Sequence, residues 1–140
     1  MELGVDVIDD ARLNEMLYRR FTDAVEVVIP EWVKEIAGGA FERCNSLTRV
    51  TIPQGVEWIG SKAFQGCVNL ASIKIPSSVC SIDWGAFHDC VNLTSVFIEG
   101  SNTAIYLDAF KGCTNLTIHA PAGSYAEKYA IKHNVTFVVL

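Results

Sequence analysis

The sequence predicts an α/β solenoid, built from short repeats that carry short parallel strands on one face, with a separate cap at each end. Three observations predict it. Ala-Phe pairs begin at Ala40, Ala63, Ala86 and Ala109; a cysteine follows each at Cys44, Cys67, Cys90 and Cys113; and an apolar run ending in proline recurs in the same frame. The step between copies is 23 residues. A unit of that size cannot bury its own apolar face and must stack on its neighbours.

Each repeat opens with a strand. Leu47, Val50 and Ile52 stand at the first, fourth and sixth places, with the β-branched Thr48 and Thr51 between them, and Leu70, Ile73 and Ile75 hold the same places in the next copy. That pattern sends alternate side chains to a core. Pro53 and Pro76 end the strands, having no N–H for the ladder and a fixed φ. Val27, Ile29, Pro30, Val33 and Ile36 fit the same frame upstream, so about four full turns are expected. The third copy decays, with Glu99 in place of the proline and Thr103 and Ala104 where a valine is expected.

The second half of each unit, Val56, Ile59 and Ala63-Phe64, has spacings of three to five, which reads as a helical or 3₁₀ turn forming the convex side. Phe41, Phe64, Phe87 and Phe110 then make a buried ladder. The in-register thiols make a second one, acting as small hydrophobes. Rung spacing of about 4.8 Å slightly exceeds the usual disulfide Cβ separation of about 3.5–4.5 Å, which argues against disulfides. Cys80 is out of register and expected to be more exposed. The column Ser46, Asn69, Asn92, Asn115 suits amide hydrogen bonds to local backbone. The column Arg43, Gly66, Asp89, Gly112 accepts glycine twice, a hint of positive φ.

An open solenoid needs atypical ends. Residues 1–22 read as an amphipathic helical cap through Leu13, Met16, Leu17 and Phe21, with 23–121 as repeats. Residues 122–140 read as a helix–strand cap, opened by the capping box Ser124-x-x-Glu127 and ending in a strand over Val135 to Leu140. At 140 residues the chain is expected to be a single domain.

The unit Leu-x-x-Ile-x-Ile-Pro-x-x-Val-x-x-Ile-x-x-x-Ala-Phe-x-x-Cys-x-x-Leu resembles the BspA-like leucine-rich repeats, over about residues 23–140. The stretch Pro121-Ala-Gly-Ser-Tyr-Ala-Glu-Lys-Tyr-Ala130 is similar to the way many members end. The resemblance implies a right-handed leucine-rich-repeat solenoid. It also implies a bacterial or protist interaction protein, adhesins at the cell surface among them.

Function is read from what faces outward. Strand positions pointing away from the core form the usual recognition face of solenoids. The candidate contacts for a protein or peptide partner are Val28, Arg49, Thr51, Lys74, Phe97 and His119. Phe97 either anchors a partner or is packed by its neighbours. Trp32, Trp58 and Trp84 fall in three different columns, outside the core ladders, and either cover gaps or serve as contacts.

The net charge is −5; residues 1–39 hold nine acids and four bases, and 40–140 hold seven of each. No basic stripe exists to neutralise phosphates, so nucleic acid is excluded as a partner. No 18-residue apolar run supports membrane insertion. His88-Asp89-Cys90 suggests a nucleophile or metal site, but Cys90 belongs to the core ladder and no second ligand cluster supports it. No catalytic set, metal site or cofactor is expected, which makes the chain a non-enzymatic scaffold. A self-assembling structural unit, or an adhesin fragment of a larger surface protein, are the alternatives. The acidic start Met1–Asp10 lacks a basic and an apolar signal region and reads as cytoplasmic, or as secreted or surface-displayed if the chain is a trimmed piece.

Overall fold

The computed structural model describes residues 24–140. The expected N-terminal cap helix lies outside the described residues. Strands β1 (Glu26–Val28), β3 (Arg49–Thr51), β5 (Ser72–Ile75), β7 (Ser95–Ile98), β9 (Thr117–Ala120) and β10 (Thr136–Val139) stack in parallel along one face. Their inward residues Val27, Val50, Ile73, Val96 and Ile118 are buried. Glu26–Val28 pairs with Arg49–Thr51, and the series β5-β7-β9-β10 forms a separate four-stranded sheet. The hydrogen-bonded ladder therefore lapses between β3 and β5.

A second parallel sheet replaces the expected helical convex side. It consists of β2 (Glu35–Ile36), β4 (Trp58–Ile59), β6 (Ser81–Ile82) and β8 (Ala104–Ile105), each two residues long. In three of its four units a tight turn at the proline leads into it. Val33, Val56 and Val79 donate their N–H to the carbonyls of Pro30, Pro53 and Pro76, closing tight turns that redirect the chain and plant each valine in the core. Alternation then resumes, with Trp58 out and Ile59 in. In the decayed copy Thr103 takes the inward place, 2% exposed, and its hydroxyl is satisfied by the Val79 carbonyl at 2.8 Å.

The Ala-Phe segment is a run of i→i+3 turns, the 3₁₀-type alternative, with two left-handed columns. Arg43, Gly66, Asp89 and Gly112 have φ of 60°, 74°, 60° and 86°, as the two glycines hinted. Gly39, Lys62, Gly85 and Asp108 form the other column, at 60–70°. The loops stack through backbone bonds: Phe41, Phe64 and Phe87 donate to Ala63, Ala86 and Ala109, each at 2.7 Å. The four phenylalanine rings lie nearly parallel, with centroids 5.1–5.2 Å apart.

All five cysteines are free thiols, four buried and Cys80 exposed. The buried ones do more than fill space. Cys67, Cys90 and Cys113 donate S–H to the carbonyls of Phe41, Phe64 and Phe87 at 3.0–3.1 Å. Burial pushes the Cys44 thiol from 9.0 up to about 11, and burial with the neighbouring Cys44 pushes Cys67 up to about 12. Iodoacetamide on the folded protein at pH 8 is expected to modify Cys80 alone, and the other four only after denaturation, as counted by mass spectrometry. Two or more adducts on folded protein would contradict this. Because the folded thiols hold their protons longer than unfolded ones, their contribution to stability is full below pH 9.0 and falls as the pH climbs toward 11–12.

The asparagine column bonds between turns, which corrects the local-backbone expectation. Asn69 donates its amide to the Asn45 carbonyl, and Asn92 donates to Val68 at 2.7 Å. Each carbonyl belongs to the preceding turn, because parallel stacking brings that turn's corner within amide reach.

At the C-terminus, α1 (Tyr125–Lys132) begins at Ser124, whose hydroxyl accepts the Glu127 N–H, while Glu127 accepts the Gly123 N–H at 2.7 Å. Ala126 and Ala130 face the last turn and are buried. Asn134, at φ 55°, ends the helix region and leads into β10.

Candidate recognition surface

Parallel register aligns the outward residues in two columns. Val28 lies beside Thr51 in one sheet, and Lys74, Phe97, His119 and Val138 follow in the other. The second column is Glu26 beside Arg49, then Ser72, Ser95, Thr117 and Thr136. All six sequence-predicted candidates therefore stand on one face, though not in one continuous sheet.

Their environments differ. Arg49 reaches Glu26 at 3.8 Å and Lys74 reaches Glu99 at 3.8 Å, both pairs well solvated and held loosely. Phe97 is half-buried, its ring stacked on His119 with centroids 4.4 Å apart and a 19° tilt. It is thus packed against His119 on one side, with Lys74 in register on the other.

The lapse in the ladder makes a feature that sequence reasoning missed. Where β3 and β5 part, a notch of about 340 Å³ opens, lined by Val50, Thr51, Ile52, Gln54, Lys74, Pro76 and Glu99. The inward Val50 and Ile52 are 6% and 7% exposed there. No pattern in the residues signals the gap, since both strands carry the full repeat motif.

Of the tryptophans, Trp58 points outward from β4 of the second sheet, while Trp32 and Trp84 lie in turns. Trp32, Trp58 and Trp84 are 46%, 43% and 46% exposed, so none is a core residue. The Lys62 ammonium sits 5.1 Å from the Trp84 ring centroid. The His88-Asp89-Cys90 run forms no site: His88 and Asp89 contact each other at 3.6 Å, while Cys90 turns inward to the Phe64 carbonyl. Hydrogen bonding with Cys113 and burial raise the Cys90 thiol far above its ordinary range, which keeps it protonated. Among the described residues no group of three His, Cys, Asp or Glu side chains is placed to hold a metal ion. Among them too, no helix is long and apolar enough to cross a membrane.

Comparison with known families agrees with the geometry. The BspA type leucine-rich repeat region matches residues 12–134 in six copies. The chain belongs to the BspA-type leucine-rich-repeat family. The match starts upstream of the described turns, inside the segment expected to be a cap helix, and counts more copies than the four full turns read from the pattern. Among solved structures, this BspA-type chain resembles a leucine-rich-repeat protein of Bacteroides ovatus at 27% identity and a TM-score of 0.70, over 82% of this chain and 30% of that one. It resembles a leucine-rich-repeat protein of T. pallidum at 32% identity and 0.63, over 68% and 45%. It also resembles a leucine-rich cell surface protein of Faecalibacterium prausnitzii at 31% and 0.67, over 76% and 28%. The chain thus spans less than half the length of each of these relatives. A search of curated proteins gave no match.

Proposed function

We propose that this BspA-type solenoid is a non-enzymatic scaffold that binds a protein or peptide through its strand face, with Val28, Arg49, Thr51, Lys74, Phe97 and His119 as contacts. The observation that carries the reading is the notch at the β3–β5 gap. Thr51 and Lys74 line it, Arg49 stands on the adjoining strand β3, and Phe97 lies in register beside Lys74 on the next strand. A concave break flanked by a half-buried aromatic ring and two loosely paired cations can seat a protruding side chain and a carboxylate of the same partner. The solvated ion pairs release their cations at little cost.

The test is affinity capture from the native host, followed by measured binding of the retained protein to wild type and to the triple variant Arg49→Ala, Lys74→Ala, Phe97→Ala. Binding is expected to weaken by at least about tenfold while the melting temperature stays within about two degrees. Equal binding by an equally stable variant would exclude this face.

A second reading, an adhesin-type segment of a larger surface protein, is favoured by the cell surface relative and by the extra length of all three relatives. It places the protein outside the cell rather than in the cytoplasm. Reaction of intact host cells with an antibody against the chain distinguishes the two locations.

A further inference from the structure

The last turn ends differently from the others. In the interior, each Ala-Phe loop lies over the next one, and Arg43, Gly66 and Asp89 donate their N–H to Gln65, His88 and Lys111 at 2.7–2.8 Å. Between Lys111 and Leu140 no further Ala-Phe loop occurs. Helix α1 leads into β10 directly, so the place a fifth Ala-Phe loop would fill is a cavity of about 660 Å³. It is lined by the loop residues Asp108, Lys111 and Gly112, by Tyr129 and His133 of the helix end, and by Asn134 to Thr136 at the start of β10.

The donors stranded by the missing loop have different fates. The Phe110 N–H meets no carbonyl of a following loop among the described residues, and the Tyr129 ring packs edge-on against Phe110 there, centroids 6.0 Å apart. The Gly112 N–H, at φ 86°, meets no acceptor among the described residues. Lys111 adds an ammonium with no carboxylate partner among the described residues, and His133 adds an imidazole N–H. The cavity is therefore rich in donors. Among the described residues Asp108 is the one carboxylate on its wall, which favours a ligand with a single negative charge over one with several.

The same end carries the last sheet edge of the described residues. Among them strand β10 bonds to β9 alone, and the stretch Thr136-Phe-Val-Val-Leu140 has no charged side chain and no proline to discourage pairing. Leu140 donates its N–H to Ala120 at 2.9 Å. Alternate residues of a parallel strand bond to the same neighbour, so Phe137 and Val139 turn their N–H and C=O to the open side. A strand added antiparallel to β10 runs toward the start of β10, which borders the cavity.

We propose that this end of the solenoid captures the C-terminus of another protein, as an extended, uncharged segment that pairs with the open edge of β10 and delivers its terminal carboxylate to Lys111 and the Gly112 N–H. The edge supplies affinity through backbone bonds, and the cavity supplies the requirement for a chain end. This surface is separate from the strand-face contacts and does not rest on them.

The probe is a pentapeptide display library with free C-termini, from which the strongest binder is resynthesised with a free and with an amidated end. Amidation and Lys111→Ala are each expected to weaken binding by about tenfold. Val139→Pro is expected to abolish it while sparing the fold, because the lost N–H faces outward. The triple strand-face variant is expected to bind the peptide as wild type does. Failure to enrich any peptide over the Val139→Pro protein, or equal affinity for the amidated peptide, would overturn the proposal.

Discussion

Phe64→Ala is expected to lower stability by about 3–5 kcal/mol, a fall of more than about 10 °C in melting temperature. Phe64 is fully buried and stacks on Phe41 at 5.1 Å and on Phe87 at 5.2 Å. Truncation removes two ring contacts and leaves a void in the middle of a one-dimensional stack. Both neighbours are themselves held by such contacts, and no third element can collapse into the space. The same change at Phe110 should cost less, because that ring is already 5% exposed and ends the ladder against Tyr129 edge-on. Thermal melts of the two variants decide it. A shift of only one or two degrees for Phe64→Ala would mean that the ladder does not carry the core.

Gly60→Ala is expected to cost about 3 kcal/mol, a much larger effect than one methyl group on an ordinary surface strand. A Cβ at Gly60 would stand 2.6 Å from the Gly38 nitrogen, 2.8 Å from the Ile36 oxygen and 2.9 Å from the Ala37 carbonyl carbon. All three are backbone atoms of the preceding turn and cannot rotate away. The bond that draws the two turns together runs from the Gly60 N–H to Ile36 at 2.7 Å, so relief of the clash would stretch it. Gly123→Ala is the control. Gly123 has φ 78° and nothing within 4 Å of an added Cβ, so its cost reports backbone strain alone, about 1 kcal/mol. Comparable melting temperatures for the two variants would refute the close-approach argument.

Most of the fold is legible because the period repeats each structural demand. One phenylalanine on its own is ambiguous, but Phe41, Phe64, Phe87 and Phe110 at equal steps permit only a stacked column. The capping box at Ser124 and the glycines at 66 and 112 were readable for a related reason, since each answers a local backbone need. The second sheet was not legible. Two-residue strands such as Trp58–Ile59 are too short to show alternation, and Val56-x-x-Ile59 imitates a helical spacing that the proline turn in fact produces. The S–H bonds of the cysteine ladder and the inter-turn reach of Asn69 were hidden because they depend on which atoms of the neighbouring turn come close. On the candidate surface the pattern placed all six residues on one face. It could not show that Phe97 leans on His119, nor that the sheet parts beside Thr51 and Lys74.

That parting also bears on how the molecule comes undone. A stack in which each rung touches only the next transmits cooperativity through its interfaces, and one interface here lacks the strand hydrogen bonds found at the others along that face. The seam between the second and third turns stays closed through the second sheet, the Phe64–Phe87 stack and the bonds of Gln54 with Ser77 and Ser78 at the corner. Thermal opening or a pulling force is expected to separate the described chain there first, into a block ending at β4 and a better-knit block that runs from β5 through α1 to β10. A partner seated across the seam would bridge both blocks, and recognition would then tighten the scaffold along its length.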